Sequence, residues 1–224
     1  MADPPAGGEG ARLQGRSEWK NIKHHIMNGI WAIVLAAGES RRMGSPKMLL
    51  PYNDVTVIEQ VIINLLDSDT DRVVVVLGAN RGEIMTVTRS YDVFHCYNED
   101  YQTGMLSSVK CGFYSLPQGC TGALIMPGDQ PMTGPGEINR VIRTFLESDK
   151  GLVMAAHSGK RGHPLIVDMK YADEVFNLPD GEGLRALAGR HPADVLESDT
   201  DDSSVLRDID TQEDYIYEIS KTRE

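Results

Sequence analysis

Three short apolar runs, Ile30 to Ala36 (IWAIVLA), Arg72 to Leu77 (RVVVVL) and Ala123 to Met126 (ALIM), each lead into a glycine-bearing turn. A strand with one wet face alternates polar and apolar residues, whereas a strand covered on both faces reads as a continuous apolar run. The three runs are therefore read as interior strands of a parallel sheet. Between the first two, Val57, Ile58, Val61, Ile62 and Leu65 recur at helical spacing. The alternation goes on through a polar helical segment from Gly82 to Ser90, a strand from Val93 to Tyr97 and a helix from Met105 to Leu116. After the third run come a helix from Gly136 to Glu147, strands Leu152 to Ala156 and Leu165 to Val167, and a last helix from Gln212 to Ser220. Strands separated by helices predict an α/β, single-domain, doubly wound and mostly parallel sheet of Rossmann-like winding, with its ligand site where the loops leave the carboxyl ends of the strands.

Size agrees with one domain over residues 30–224, since 224 residues with 41% hydrophobic content support one substantial core. Residues 1–29 carry Pro4, Pro5, Gly7, Gly8 and Gly10 and no continuous apolar stretch, so they are expected to be a flexible leader, not a secretory signal, with His24 and His25 as exposed tail residues. No apolar run approaches the roughly 20 residues of a membrane-spanning helix, and a cytoplasmic location without membrane contact is expected. The formal net charge of -11 argues against a general nucleic-acid binder, because a polyanion needs a basic face. An anionic ligand must instead meet a local cluster of cations. Cys96, Cys111 and Cys120 follow no zinc-site spacing and are expected to be buried thiols. Asp199 to Ser204 (DTDDSS) reads as a solvated turn between two strands.

Such a cluster exists. Leu35-Ala36-Ala37-Gly38-Glu39-Ser40-Arg41-Arg42-Met43-Gly44-Ser45-Pro46-Lys47 leaves the first buried strand and combines glycines with three cations. Small residues let backbone N–H groups approach phosphate oxygens, and the cations neutralise charge that the acidic remainder would repel. It is neither the GxGxxG dinucleotide loop nor a Walker loop, since Ser45 and Pro46 separate Gly44 from Lys47. Asp129 ends the third apolar run, where its carboxylate suits a hard cation that bridges nucleotide phosphates and needs only one or two protein carboxylates. Asn98, Gly104 and Ser107 introduce a helix whose first amides can meet an anionic group. Met105 and Leu106 read as core residues.

The string Leu35 to Lys47 resembles the LAAGxSxRMGxxK opening of the nucleotidyltransferases that convert molybdopterin to its dinucleotide form. Ala37 looks like the cytidylyltransferase branch, since the guanylyltransferase branch typically has LAGG. Leu77-Gly78-Ala79, Asn98 with Gly104-Met105 and Ser107-Ser108, Pro127-Gly128-Asp129-Gln130-Pro131, Arg161-Gly162-His163-Pro164 and Leu206-Arg207-Asp208-Ile209-Asp210-Thr211 resemble the family's later motifs in the same order. The resemblance implies a nucleotidyltransferase fold and transfer of CMP from CTP to the terminal phosphate of molybdopterin, with pyrophosphate released. It implies Leu35, Ala36, Ala37, Gly38, Arg42, Lys47 and Gly78 at the nucleotide, with Lys47 near the α-phosphate and Arg42 near the β- and γ-phosphates. Mg²⁺ would be held by Asp129 and Asp210, with Asp208 as the alternative second ligand, and Arg42, Lys47 and Asp129 would carry catalysis. Asn98, Gly104, Ser107, Arg161 and His163 would border the acceptor, the last two from a loop preceding a short strand. A molybdenum hydroxylase or its chaperone is the implied receiving partner. Two alternatives stay open: guanylyl or other nucleotidyl transfer to a phosphorylated small molecule, and an oxidoreductase or cofactor carrier on the same scaffold.

Overall fold

The computed structural model describes residues 11–13, 29–40 and 42–221. Its backbone is a sheet of eight strands in chain order β1 (Ala11–Leu13), β2 (Ile30–Ala36), β5 (Arg72–Leu77), β6 (Phe94–Asn98), β7 (Gly122–Pro127), β8 (Leu152–His157), β9 (Lys160–Asp168) and β10 (Val195–Asp199). The two strands between, β3 (Pro51–Tyr52) and β4 (Val55–Thr56), form a separate small hairpin. Spatial order in the sheet is β1-β6-β5-β2-β7-β9-β8-β10. β6, β5, β2 and β7 run parallel, β9 runs against both of its neighbours, and β8 and β10 are again parallel to each other. The expected doubly wound, mostly parallel sheet is therefore the fold.

Helices cover both faces. α1 (Val57–Leu66), α2 (Arg81–Thr88) and α4 (Pro135–Glu147) bury Ile58, Ile62, Ile84, Ile138 and Ile142 against Ala32, Val34, Val73 and Val75 on one side. α3 (Met105–Tyr114), α5 (Ala172–Phe176) and α6 (Leu184–Arg190) bury Leu106, Val109, Phe113, Val175 and Leu187 on the other, where Trp31, Ile33, Val74 and Val76 point. Successive residues of β2 and β5 thus feed opposite cores, which is why both read as unbroken apolar runs. α1 opens on a capping box: Thr56 Oγ1 accepts from the Glu59 amide at 3.4 Å, and Glu59 Oε2 accepts from the Thr56 amide at 2.9 Å. α7 (Gln212–Lys221) closes the chain.

Two expectations change. The strand expected over Leu165 to Val167 extends to Lys160–Asp168, so Arg161-Gly162-His163-Pro164 lies within β9 and not in a loop before it. The acidic turn Asp199 to Ser204 leads from β10 into a 3-10 turn at Ser203–Leu206, not into a second strand. Within the leader, Ala11–Leu13 pairs antiparallel with β6, and His24 and His25 lie outside the described residues. Cys96, Cys111 and Cys120 are buried and free. Among the described residues no helix is long and apolar enough to cross a membrane.

Candidate active site

A cleft of about 490 Å³ opens at the carboxyl ends of β2 and β7, where the antiparallel β9 begins, lined by Leu35, Ala37, Gly38, Arg42, Lys47, Asp129 and His163 among others. Lys47 stands at its centre. The Lys47 ammonium lies 2.6 Å from Asp129 Oδ2 and 2.7 Å from Asp210 Oδ1, and Arg42 Nη1 lies 2.8 Å from Asp210 Oδ2. Residues far apart in sequence are thereby joined into one charge cluster. The loop that delivers Lys47 is closed on itself: Ser40, at φ 56°, accepts the Lys47 amide on Oγ at 3.1 Å and the Met43 amide on its carbonyl at 3.0 Å. Asp129 is fixed from the opposite side, where its carbonyl accepts the Ile209 amide at 3.0 Å and so ties the end of β7 to the segment carrying Asp208 and Asp210.

Burial alone would lower the Lys47 pKa, but the facing Asp129 and Asp210 carboxylates outweigh it and raise the value, so the ammonium stays charged. Burial and the neighbouring Asp210 and Asp129 carboxylates push Asp208 up. His163 is held below the ordinary imidazole value by burial, which the nearby Asp129 charge only partly offsets. The cluster also fits a divalent cation. Asp129 Oδ1 is buried without a hydrogen-bond partner, and a second carboxylate converges on the same ammonium from Asp210. Among the described residues no group of three or more His, Cys, Asp or Glu side chains is placed to hold a metal. Two carboxylates are what a hard cation needs when substrate phosphates and water supply its remaining oxygens.

Several expected residues stand behind the cleft and not in it. Ala36 is fully buried in β2. A Cβ on Gly78 would lie 2.7 Å from Ala37 Cβ and 2.8 Å from Tyr101 Cβ, so Gly78 leaves the room that both residues need against it. Asn98, only 3% exposed, donates to Ser107 Oγ at 2.8 Å and Ser108 Oγ at 3.0 Å and accepts the Asp100 amide at 3.0 Å. It and Ser107 shape the loop before α3, while Gly104, Met105 and Ser108 reach the cleft. Arg161 is not brought to the cleft: its Nε donates to Glu197 Oε1 at 2.7 Å on the β10 side. Met105 departs from its expected core position, since it is 68% exposed at the first position of α3 and lines the cleft. Ser40, Met48, Tyr101, Ser108, Pro127 and Gln130 also line it. For Gln130 the signal was its place beside Asp129; Tyr101 carried none.

Fold and site together define a nucleotidyltransferase. The MobA-like NTP transferase domain matches residues 32–195, and the chain belongs to that family. Among curated proteins it is 30% identical to the molybdenum cofactor cytidylyltransferase of Escherichia coli (strain K12), over 85% of this chain and 95% of that protein. It is 29% identical to the nicotine blue oxidoreductase of Paenarthrobacter nicotinovorans, over 82% of this chain and 92% of that one. Among solved structures, Rv0371c from Mycobacterium tuberculosis superposes with a TM-score of 0.77 at 27% identity, covering 87% of this chain and 100% of that chain. A complex of Rv0371c with manganese gives a TM-score of 0.73 at 27% identity, covering 86% and 98%.

Proposed function

We propose that the protein transfers CMP from CTP to the terminal phosphate of molybdopterin in the cytoplasm, with Mg²⁺ as the metal and pyrophosphate as the second product. The observation that carries this reading is the convergence of Lys47 with Asp129 and Asp210 beside Arg42. Two anionic substrates repel, and an attacking phosphate is ionised at neutral pH, so no protein nucleophile is required. The chain's task is to hold both substrates in line and to stabilise charge on the departing pyrophosphate. Lys47 is assigned to the α-phosphate and Arg42, exposed at the mouth, to the β- and γ-phosphates. Leu35, Ala37 and Gly38 form the surface for the base, with Ala37 pressed on Gly78. Mg²⁺, held by Asp129 and Asp210, would supply charge neutralisation across the phosphates. His163 and Gly104 border the acceptor, and a molybdenum hydroxylase or its chaperone would receive the product.

The relative that is an oxidoreductase raises the competing reading. That reading leaves the Lys47, Asp129 and Asp210 cluster without a task, and the sequence has no GxGxxG fingerprint. Pyrophosphate release is measured with Mg²⁺, molybdopterin and each of the four ribonucleoside triphosphates in turn. CTP is expected to give the fastest release, and Asp129→Ala is expected to lower turnover about 10²- to 10³-fold with its circular dichroism unchanged. A preference for GTP overturns the choice of base, and no release with any triphosphate overturns the transfer reading.

A further inference from the structure

Gln130 is only 4% exposed and lines the cleft, yet its Oε1 is buried without a hydrogen-bond partner. A buried carbonyl oxygen left unpaired costs about 1–3 kcal/mol, so such an atom in a binding site points to a donor supplied by a ligand. The turn that carries it is rigid. Asn64 of α1, itself 7% exposed, donates to the carbonyls of Pro131 at 2.9 Å and Thr133 at 3.0 Å, and Gln60 donates to Asn64 Oδ1 at 2.9 Å. Thr133 Oγ1 donates to the Ser204 carbonyl at 3.2 Å. The two bonds from Asn64 thus hold the backbone after Gln130 before any ligand arrives, with Gln60 fixing Asn64 and Ser204 fixing the Thr133 side chain.

The anchoring also fixes which substrate it meets. Gly128 is tied to the nucleotide loop, since its amide donates to the Leu35 carbonyl at 3.1 Å. Beyond Asp129 the contacts turn to the other side: Ile209 bonds to the Asp129 carbonyl and Thr133 to Ser204, both in the segment that carries Asp208 and Asp210. The turn at Gln130 is therefore anchored on α1 and on the segment carrying Asp208 and Asp210. We infer that Gln130 is a specificity-determining residue whose Oε1 accepts a hydrogen bond from an N–H or O–H group of the phosphorylated acceptor, not of the nucleotide. The inference rests on the transfer reading above and adds to it a requirement that the acceptor carry a donor as well as a phosphate. An analogue lacking that donor would leave Oε1 unpaired in the complex, which is how a polar site rejects a near-isostere.

Gln130→Met keeps the length of the side chain and removes the acceptor oxygen. Steady-state rates of CTP and molybdopterin turnover with Mg²⁺ are expected to show KM for molybdopterin raised about 10- to 100-fold and KM for CTP unchanged. Thermal unfolding without substrates is expected to move the other way, with the Tm of the variant about 2–4 °C higher because the orphaned oxygen is gone. A rise in KM for CTP, an unchanged KM for molybdopterin, or a Tm equal to or below that of the wild type overturns the assignment. If Gln130→Met does not fold, Gln130→Leu carries the same two measurements, and failure of both to fold makes the residue structural and overturns it. Should the wild type itself turn over no molybdopterin, the transfer reading falls and this assignment with it, whereas wild-type turnover with an unchanged KM in the variant overturns the assignment alone.

Discussion

Lys47 bridges two carboxylates with one ammonium, at 2.6 and 2.7 Å. In the proposed metal site a divalent cation would draw on the same two carboxylates, so the ammonium and the metal would compete for their charge. Removing the charge has opposite effects on the two properties that can be measured. Lys47→Met is expected to lower kcat/KM about 10²- to 10³-fold, because charge stabilisation at the α-phosphate is lost. Its affinity for Mn²⁺ without nucleotide, read by electron paramagnetic resonance, is expected to rise about tenfold, the effect of roughly 1.4 kcal/mol of freed attraction. Weaker Mn²⁺ binding in the variant would show that Lys47 supports the metal and does not oppose it. At this scale the charged residues were legible: Lys47, Arg42 and Asp129 follow the ends of buried strands, and the structure brings the three side chains into one cluster. Met105 was not, because helical spacing says which residues share a face but not that the first turn overhangs a cleft.

The C-terminal helix α7 is the element that holds Asp210, the second carboxylate of the proposed metal site. Its start is a capping box in which Thr211 Oγ1 accepts the Asp214 amide at 3.2 Å and Asp214 Oδ2 accepts the Thr211 amide at 2.8 Å. Asp214 Oδ2 also accepts the Asp210 amide at 3.2 Å. One turn further, Glu218, 5% exposed, takes both oxygens to Arg207 Nη1 at 2.8 Å. The segment from Arg207 to Thr211 is thus pinned at both ends. Glu218→Ala is expected to destabilise by about 3 kcal/mol, the lower end for a buried pair because Arg207 is 28% exposed. It should also raise the Mg²⁺ concentration needed for half-maximal rate more than it lowers kcat, as Asp210 loses its fixed position. Equal stability in urea titration would show that the pair contributes nothing. Elements differ in how far sequence discloses them. Long apolar runs were readable, but Gly-His-Pro argues against a strand interior, and β9 accommodates it by a bulge. Met154 pairs with Leu165 and Ala156 with Arg161, so Ala155 faces the three residues Gly162, His163 and Pro164. The added length turns His163 toward the cleft, and Gly162 is needed there because a Cβ would overlap the Val205 carbonyl. α5 and α6 are too short for a periodic signal, and β10 is an edge strand with mixed polarity.

Across the whole molecule the formal net charge is -11, and folding stability should respond to acid in two separate windows. The first belongs to histidine. His95 of β6 lies 2.8 Å from Thr88 Oγ1, and burial lowers its pKa from the ordinary 6.5. Between that value and the lower folded one, the unfolded chain binds a proton that the folded chain refuses, so stability falls as pH is lowered through 6.5. His163 shifts in the same direction for the same first cause. The second window is that of the carboxylates. Burial disfavours the charge on Asp194, but the Lys170 ammonium at 2.8 Å and the Tyr171 hydroxyl outweigh it and hold its pKa at about 2. Its contribution is intact above 3.8 and is lost only as pH falls toward 2. Tm measured from pH 7.5 to 5 is therefore expected to drop with a slope set by the histidines and not by the acidic surface. His95→Gln, which keeps a polar partner for Thr88 and cannot titrate, should flatten that slope while leaving Tm at pH 7.5 within about 2 °C. An unchanged slope in the variant would mean that His95 does not govern the loss, and that His163 or the carboxylates set the acid limit of the fold.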